Sequence, residues 1–285
     1  MLAGRELVGT HDILMITLDT LRYDIACEAL EAGRTPHLAA LLPKGQWEER
    51  HTPSSFTYAA HHAFFAGFLP TPAAPGVHPR LFAARFAGSE TTTEATYVFD
   101  APDIVSGLFA QGYHTVCIGG VGFFNKQTAL GAVLPGMFAE SHWSRELGVT
   151  EPQSTENQVR LAVQIIDRTP SNQRLFLFIN ISAIHQPNHF YLPDTDKNTE
   201  KESDKAMKKD TKDTLASHAA ALAYVDAQLP PLFAAFALRS PTLVILCADH
   251  GTAYGEEGYT GHRIGHPVVW TVPYAEFILA KTNGK

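Results

Sequence analysis

Five short apolar runs punctuate the chain, at 13–18 (ILMITL), 115–118 (TVCI), 175–181 (LFLFINI), 242–247 (TLVILC) and 274–279 (YAEFIL). None alternates strictly with polar residues, as a strand with one wet face would, so they read as strands covered on both faces. Helical patterns lie between them at 25–32, 36–42, 58–65, 104–111 and 155–166. The longest, 203–236, carries Leu215, Ala219, Leu222 and Asp226 at helical spacing. Pro230-Pro231 must break or kink it, because proline lacks the N–H donor and clashes with the preceding turn. Alternating strands and helices predict a three-layer α/β/α sandwich around a mostly parallel sheet. Two stretches escape the pattern. Residues 69–93, dense in Pro, Gly and Ala, read as a long loop, and 193–213, highly charged, as an exposed mobile insertion. No repeat or composition break divides the chain, so a single domain over 1–285 is expected.

Composition narrows the function more than the fold. The 285 residues carry a formal net charge of -7, against the basic face of an electrostatic nucleic-acid binder. That balance still admits a phosphate-bearing substrate, since a bound cation can supply the local positive field. Cys27, Cys117 and Cys247 are widely spaced and form no CxxC pair, which argues against a disulfide framework or a thiolate zinc cluster. The N-terminus has no secretory pattern and no window approaches a membrane span, so a soluble cytoplasmic protein is expected. Fourteen histidines invite a search for metal or acid–base clusters.

Three places combine such residues. In ILMITLDTLRYD a buried strand ends in Asp19, at the strand tip where parallel α/β sheets gather ligands; capping of the next helix is the alternative. In TLVILCADHG another apolar strand runs into Asp249 and His250, offering a hard oxygen and an imidazole nitrogen to a cation. Two such strand tips on one sheet edge favour a metal site. In TPSSFTYAAHHAFFAG a Ser/Thr-rich loop enters a helix, placing a hydroxyl at the electropositive helix N-terminus, as an anion-binding group or an ordinary cap.

Together with TPHLAALL, GYHTVCIGG, FINISAIHQPNHFY, YVDAQL and the full ILCADHGTAYGEEGYTGH, these stretches resemble the sulfatase-like part of the alkaline phosphatase superfamily, from about Asp12 to Leu279. The DHG block is the most specific, with its Gly-His reaching His262 thirteen residues beyond Asp249. The resemblance implies an alkaline phosphatase-like fold and a divalent metal on Asp19, Asp249 and His250. It implies a nucleophile ten residues before Gly67, which is Thr57, also a metal ligand. His185 of His185-Gln186-Pro187 becomes a candidate general acid and substrate contact, and His262 an alternative proton donor, a contact to substrate oxygens or a second metal's ligand. His61, four residues past Thr57, is a further candidate for reaching substrate.

Departures from the family pattern shape the chemistry. A sulfatase matures a Cys or Ser in C/S-x-P-x-R to formylglycine, whereas this chain has Thr57 followed by Tyr58-Ala59-Ala60-His61. The lysine that usually follows the GYxT strand gives way to Gly119-Gly120-Val121-Gly122. An Asp-His pair in place of Asp-Asn moves the expected metal from Ca²⁺ or Mg²⁺ toward Mn²⁺ or Zn²⁺. Hydrolysis of phosphate or phosphonate esters is therefore expected over sulfate esters, on a small-molecule or peptide-linked anionic substrate. A two-metal phosphodiesterase or phosphotransferase drawing on His185, Asp226, His262 and His266, and a binding module without turnover, are the alternatives. The compact length, ending where longer relatives add a C-terminal subdomain, resembles small bacterial sulfatase-like hydrolases found beside radical-SAM peptide-modifying enzymes. Asp226, His218 and His266 otherwise read as structural polar contacts, Cys247 as a small core residue, and Arg22 as a helix-start or anion-touching residue.

Overall fold

A computed structural model of the chain describes residues 2–67, 82–83, 97–98, 103–193 and 212–282. The loop expected over 69–93, apart from the two-residue strand Phe82–Ala83, and most of the charged insertion expected over 193–213 lie outside them. Seven strands form one sheet: β1 (Asp12–Leu18), β2 (Glu48–His51), β3 (His114–Ile118), β4 (Glu140–His142), β5 (Leu175–Ile181), β6 (Thr242–Cys247) and β7 (Thr271–Leu279). Their order is β2-β7-β6-β1-β5-β3-β4. β6, β1, β5, β3 and β4 run parallel, while β7 is antiparallel to both β6 and β2. The expected sandwich is therefore present, with a parallel middle and an antiparallel flank.

The apolar runs lack alternation because the sheet is covered on both faces. Leu14, Ile16 and Leu18 of β1 join Leu177, Ile179, Val244 and Leu246 in one core, against α1 (Tyr23–Glu31), α2 (Pro36–Leu41), α6 (Ser154–Arg168), α7 (Leu215–Gln228) and α8 (Pro230–Arg239). Ile13, Cys117, Phe176, Phe178 and Leu243 face the other way. They pack with Phe65 of α3 (Thr57–Ala66), Val105 and Leu108 of α4 (Ile104–Ala110) and Leu134 of α5 (Ala129–Gly136). Strand residues i and i+2 share a face, so one apolar run feeds both cores.

The helix predicted over 203–236 is corrected at its start, and it breaks where Pro230-Pro231 requires. α7 begins at Leu215, where Thr214 accepts a hydrogen bond from Ser217 N and the Ser217 side chain answers to the Thr214 backbone. α8 starts anew at Pro230, a first-turn position that needs no N–H. The combined stretch Leu215–Arg239 is long and apolar enough, by length and composition, to cross a membrane. Here Leu222, Val225, Leu232 and Phe236 are buried in the core beside the sheet. Its buried polar groups are partnered: Ser217 bonds Asn188, His218 bonds Tyr254, and Asp226 caps α2 by accepting from Leu38 N at 2.7 Å. A core helix pair explains the stretch.

Candidate metal and nucleophile site

Three adjacent parallel strands, β6, β1 and β5, deliver the site at their C-terminal ends. Asp19 follows β1 directly, Asp249 and His250 follow β6 by two and three residues, and Asn180 is the penultimate residue of β5, in register with Thr17. Ligating atoms of Asp19, Asp249 and His250 all lie within 4.8 Å of one another, and all three residues are buried. Neither aspartate caps a helix: α1 starts at Tyr23, with Arg22 as its N-cap residue.

Thr57 is the first residue of α3, not its cap. Phe56 holds the cap position without a side-chain hydrogen bond, so the first-turn N–H groups face the site uncapped. Thr57 Oγ1 lies 3.2 Å from His250 Nε2 and 3.5 Å from Asp19 Oδ2. His250 Nδ1 is 2.8 Å from the Gly251 carbonyl, which can only accept, so the proton sits on Nδ1 and Nε2 presents a lone pair toward Thr57.

The electrostatics fit a cation. Burial, and then the charge of Asp249, push the Asp19 carboxyl up to about 6. Burial likewise pushes Asp249 up to about 6, against hydrogen bonds from the Thr20 and His250 backbones. Burial depresses His250, keeping it neutral as a ligand must be. Asp19 Oδ1 and Asp249 Oδ2 are buried with no hydrogen-bond partner. Two desolvated carboxylates with bare oxygens beside a lone-pair nitrogen are a donor set short of positive charge, and a divalent ion would complete it.

His61 is placed differently from expectation. It is fully buried behind Thr57, with Nδ1 2.7 Å from the Thr57 carbonyl and Nε2 3.0 Å from Thr17 Oγ1. Rings of Phe65, Phe124 and Phe178 enclose it, and burial lowers its pKa to about 3. The position contradicts substrate contact: His61 is a neutral brace for the first turn of α3, at the Thr57 carbonyl. Pairing at one helical turn aimed it correctly at Thr57 but said nothing of which side faces solvent.

His185 and His262 line a cavity of roughly 330 Å³ with Thr57. The rings of His262 and His250 lie 4.6 Å apart and those of His262 and His185 5.7 Å apart. Burial, with the nearby charges of His250, His185 and Arg263, lowers His262 to about 3. His185 Nδ1 contacts the Gln186 carbonyl at 2.5 Å, which leaves its Nε2 to act on a ligand. A larger apolar cavity of about 700 Å³, between Met15, Phe65, Ile245 and Tyr274, takes none of the metal-site residues.

Two residues escaped the sequence reading. Asn180, inside an apolar strand, donates from Nδ2 to Asp19 Oδ2 at 3.0 Å and accepts from Val121 N at 3.0 Å. Arg263 enters the same cavity, in the left-handed region (φ 70) with its N–H bonded to Ser55 O. Its place beside the Gly-His motif was the available signal. Arg22 is no free anion contact, being paired with Asp24 and Glu256, and His266 caps a short helix by accepting from Val268 N.

A family model described as Sulfatase matches residues 11–274. Among solved structures, the chain is similar to the C-terminal periplasmic domain of the phosphoethanolamine transferase EptC from Campylobacter jejuni, at TM-score 0.59 and 13% identity over 94% of this chain and 80% of that one. The corresponding domain of EcEptC from Escherichia coli, in complex with Zn, gives TM-score 0.61 and 13% identity over 95% and 74%. A protein in the alkaline phosphatase superfamily from Vibrio parahaemolyticus gives 0.53 and 15% over 94% and 60%. No curated protein matches the sequence.

Proposed function

The chain belongs to the sulfatase family, a hydrolytic enzyme of the alkaline phosphatase superfamily, and from that premise we propose that it cleaves phosphate or phosphonate esters using Thr57 as nucleophile. One observation carries the reading: Thr57 Oγ1 sits at an uncapped helix N-terminus, 3.2 Å from His250 Nε2, beside two buried carboxylates with unpartnered oxygens. A divalent cation held by Asp19, Asp249 and His250 would supply a Lewis acid that lowers the hydroxyl's pKa. The imidazole donor favours Zn²⁺ or Mn²⁺ over Ca²⁺, and the EcEptC structure in complex with Zn accords with that.

The protein's own groups then divide the work. Thr57, its hydroxyl proton passing to solvent water as the oxygen ionises, attacks phosphorus in line, forming a Thr57–O–P bond as the bond to the leaving oxygen breaks. His185 gives the leaving oxygen its proton, its Nδ1 being anchored at the Gln186 carbonyl. His262, held neutral, hydrogen-bonds the non-bridging oxygens, and Arg263 adds positive charge at the mouth. Asn180 keeps Asp19 turned inward, and His61 fixes the first turn of α3. Water attacking the phospho-Thr57 ester restores the enzyme; an alcohol in its place would make the protein a transferase.

Among the described residues one cluster of three or more metal-ligating groups is close enough to share an ion, which favours one metal over two. Thr57 also lacks the Cys or Ser chemistry of formylglycine, which favours phospho- over sulfo-esters. The test is phosphodiesterase and phosphonate-esterase assay with Zn²⁺ or Mn²⁺, with mass spectrometry of acid-quenched protein for a phosphorylated Thr57 peptide. Thr57→Ala should lower kcat by about a thousandfold or more and abolish the adduct. Equal rates in variant and wild type would overturn the assignment.

A further inference from the structure

We infer that the ester this site accepts carries an apolar aryl or alkyl group on its leaving side, received by Phe123, Leu130 and Val149 in the cavity that His185, His262 and Arg263 also line. This rests on Thr57 as nucleophile. The cavity around Thr57 is lined by two kinds of group. His185, His262 and Arg263 supply imidazole and guanidinium donors, and the Arg263 guanidinium has no hydrogen-bond or ion-pair partner among the described residues. The rest of the lining is dominated by Val121, Phe123, Leu130 and Val149.

The apolar lining is built, not incidental. Phe123 packs on Phe56 at 6.4 Å and on Tyr58 at 5.6 Å, the residues flanking Thr57, so the wall is continuous with the helix start that carries the nucleophile. Leu130 sits in the first turn of α5, 48% exposed, and Val133 one turn on is 41% exposed. Leu130 lines the cleft while half in water, and with Val133 on the same helix it marks an apolar surface that a ligand can cover. Among the described residues that line the cavity none is acidic, so nothing there would pair with an ammonium tail. A phosphoryl group held at Thr57 by the cationic groups therefore has Phe123, Leu130 and Val149 as the apolar lining available to its ester group. Burying one phenyl ring there is worth roughly a tenfold gain in affinity or more.

Binding of two hydrolysis-inert analogues to zinc-loaded protein tests this. Benzylphosphonate and 3-aminopropylphosphonate share the anionic head and replace the ester oxygen by CH₂, and differ in the tail. Titration calorimetry should show benzylphosphonate at least tenfold tighter. Leu130→Glu, at an exposed position where folding is tolerant, and Phe123→Ala should each remove most of that preference. Arg263→Gln should weaken both ligands by the same factor and keep the preference. Equal affinity for the two tails, tighter binding of the amine, failure of both to bind, or a preference untouched by both wall variants would overturn the inference. A benzyl preference in a protein that hydrolyses no ester would sink the nucleophile reading and leave the apolar subsite standing. Hydrolysis through Thr57 without any tail preference would do the reverse.

Discussion

At the scale of single residues, the candidate site depends on atoms that are missing as much as on those present. Gly251 follows His250 directly, and a Cβ there would stand 2.0 Å from the Val268 carbonyl oxygen, a backbone atom that cannot swing aside. Gly251→Ala must therefore shift the loop that holds Asp249 and His250. We expect zinc affinity, read by chelator competition, to fall about 10- to 100-fold, the range seen when support around metal ligands is lost. Unchanged affinity would mean the loop yields elsewhere. Thr57→Ser tests the neighbouring point. Serine keeps the hydroxyl but loses the methyl that restricts χ1, so a turnover reduced by about tenfold, far less than for alanine, is expected in the same assay.

At the scale of elements, the apolar runs made the inner strands legible because burial on both faces leaves no room for polar residues. The edge strands were not legible. Glu48–His51 is four charged or titratable residues and Glu140–His142 is three polar ones, and both pair through backbone hydrogen bonds to a neighbour whose own sequence supplied the pattern. Polar edges discourage pairing between molecules, so they carry no apolar signature to read. The metal-ligand candidates were readable since they end apolar strands, whereas Asn180 hides within one, its side chain satisfied by Thr17, Asp19 and Val121. Asp226 was read as a structural contact, and its partners define that role. Its two carboxylate oxygens accept from His37 N and Leu38 N, so one helix of the pair α2 and α7 caps the other. Asp226→Ala leaves those N–H groups unmet and should cost about 1–3 kcal/mol in urea unfolding, with metal affinity unchanged; a neutral result would show that solvent replaces the carboxylate.

At the scale of the whole molecule, buried titratable groups of opposite habit set the response to pH and metal. His218, buried between Arg22 and Tyr254, has its pKa lowered by burial, and then by the Arg22 charge, to about 3. Its folded value lies below the unfolded 6.5, so its contribution to stability is complete above pH 6.5 and drains away as pH falls toward 3. Asp19 and Asp249 act with the opposite sign in metal-free protein. Their folded values of about 6 exceed the unfolded 3.8, so their contribution is present below 3.8 and lost as pH rises through 6. A cation that needs both carboxylates ionised reverses that loss at neutral pH and competes poorly with protons below it. Zinc at a hundredfold over its Kd should then add about 2.7 kcal/mol at pH 7.5, a rise in Tm of about 5–10 °C. The rise should shrink steadily toward pH 5 and vanish at every pH in Asp19→Asn. In chelator, His218→Gln should flatten the fall in stability between pH 6.5 and 5 by about 1.4 kcal/mol per pH unit relative to wild type. Because His218 lies outside the metal cluster, that change should leave the zinc-dependent rise at pH 7.5 intact. A zinc effect equal at pH 7.5 and 5, or one that survives Asp19→Asn, would place the ion somewhere other than the ends of β1 and β6.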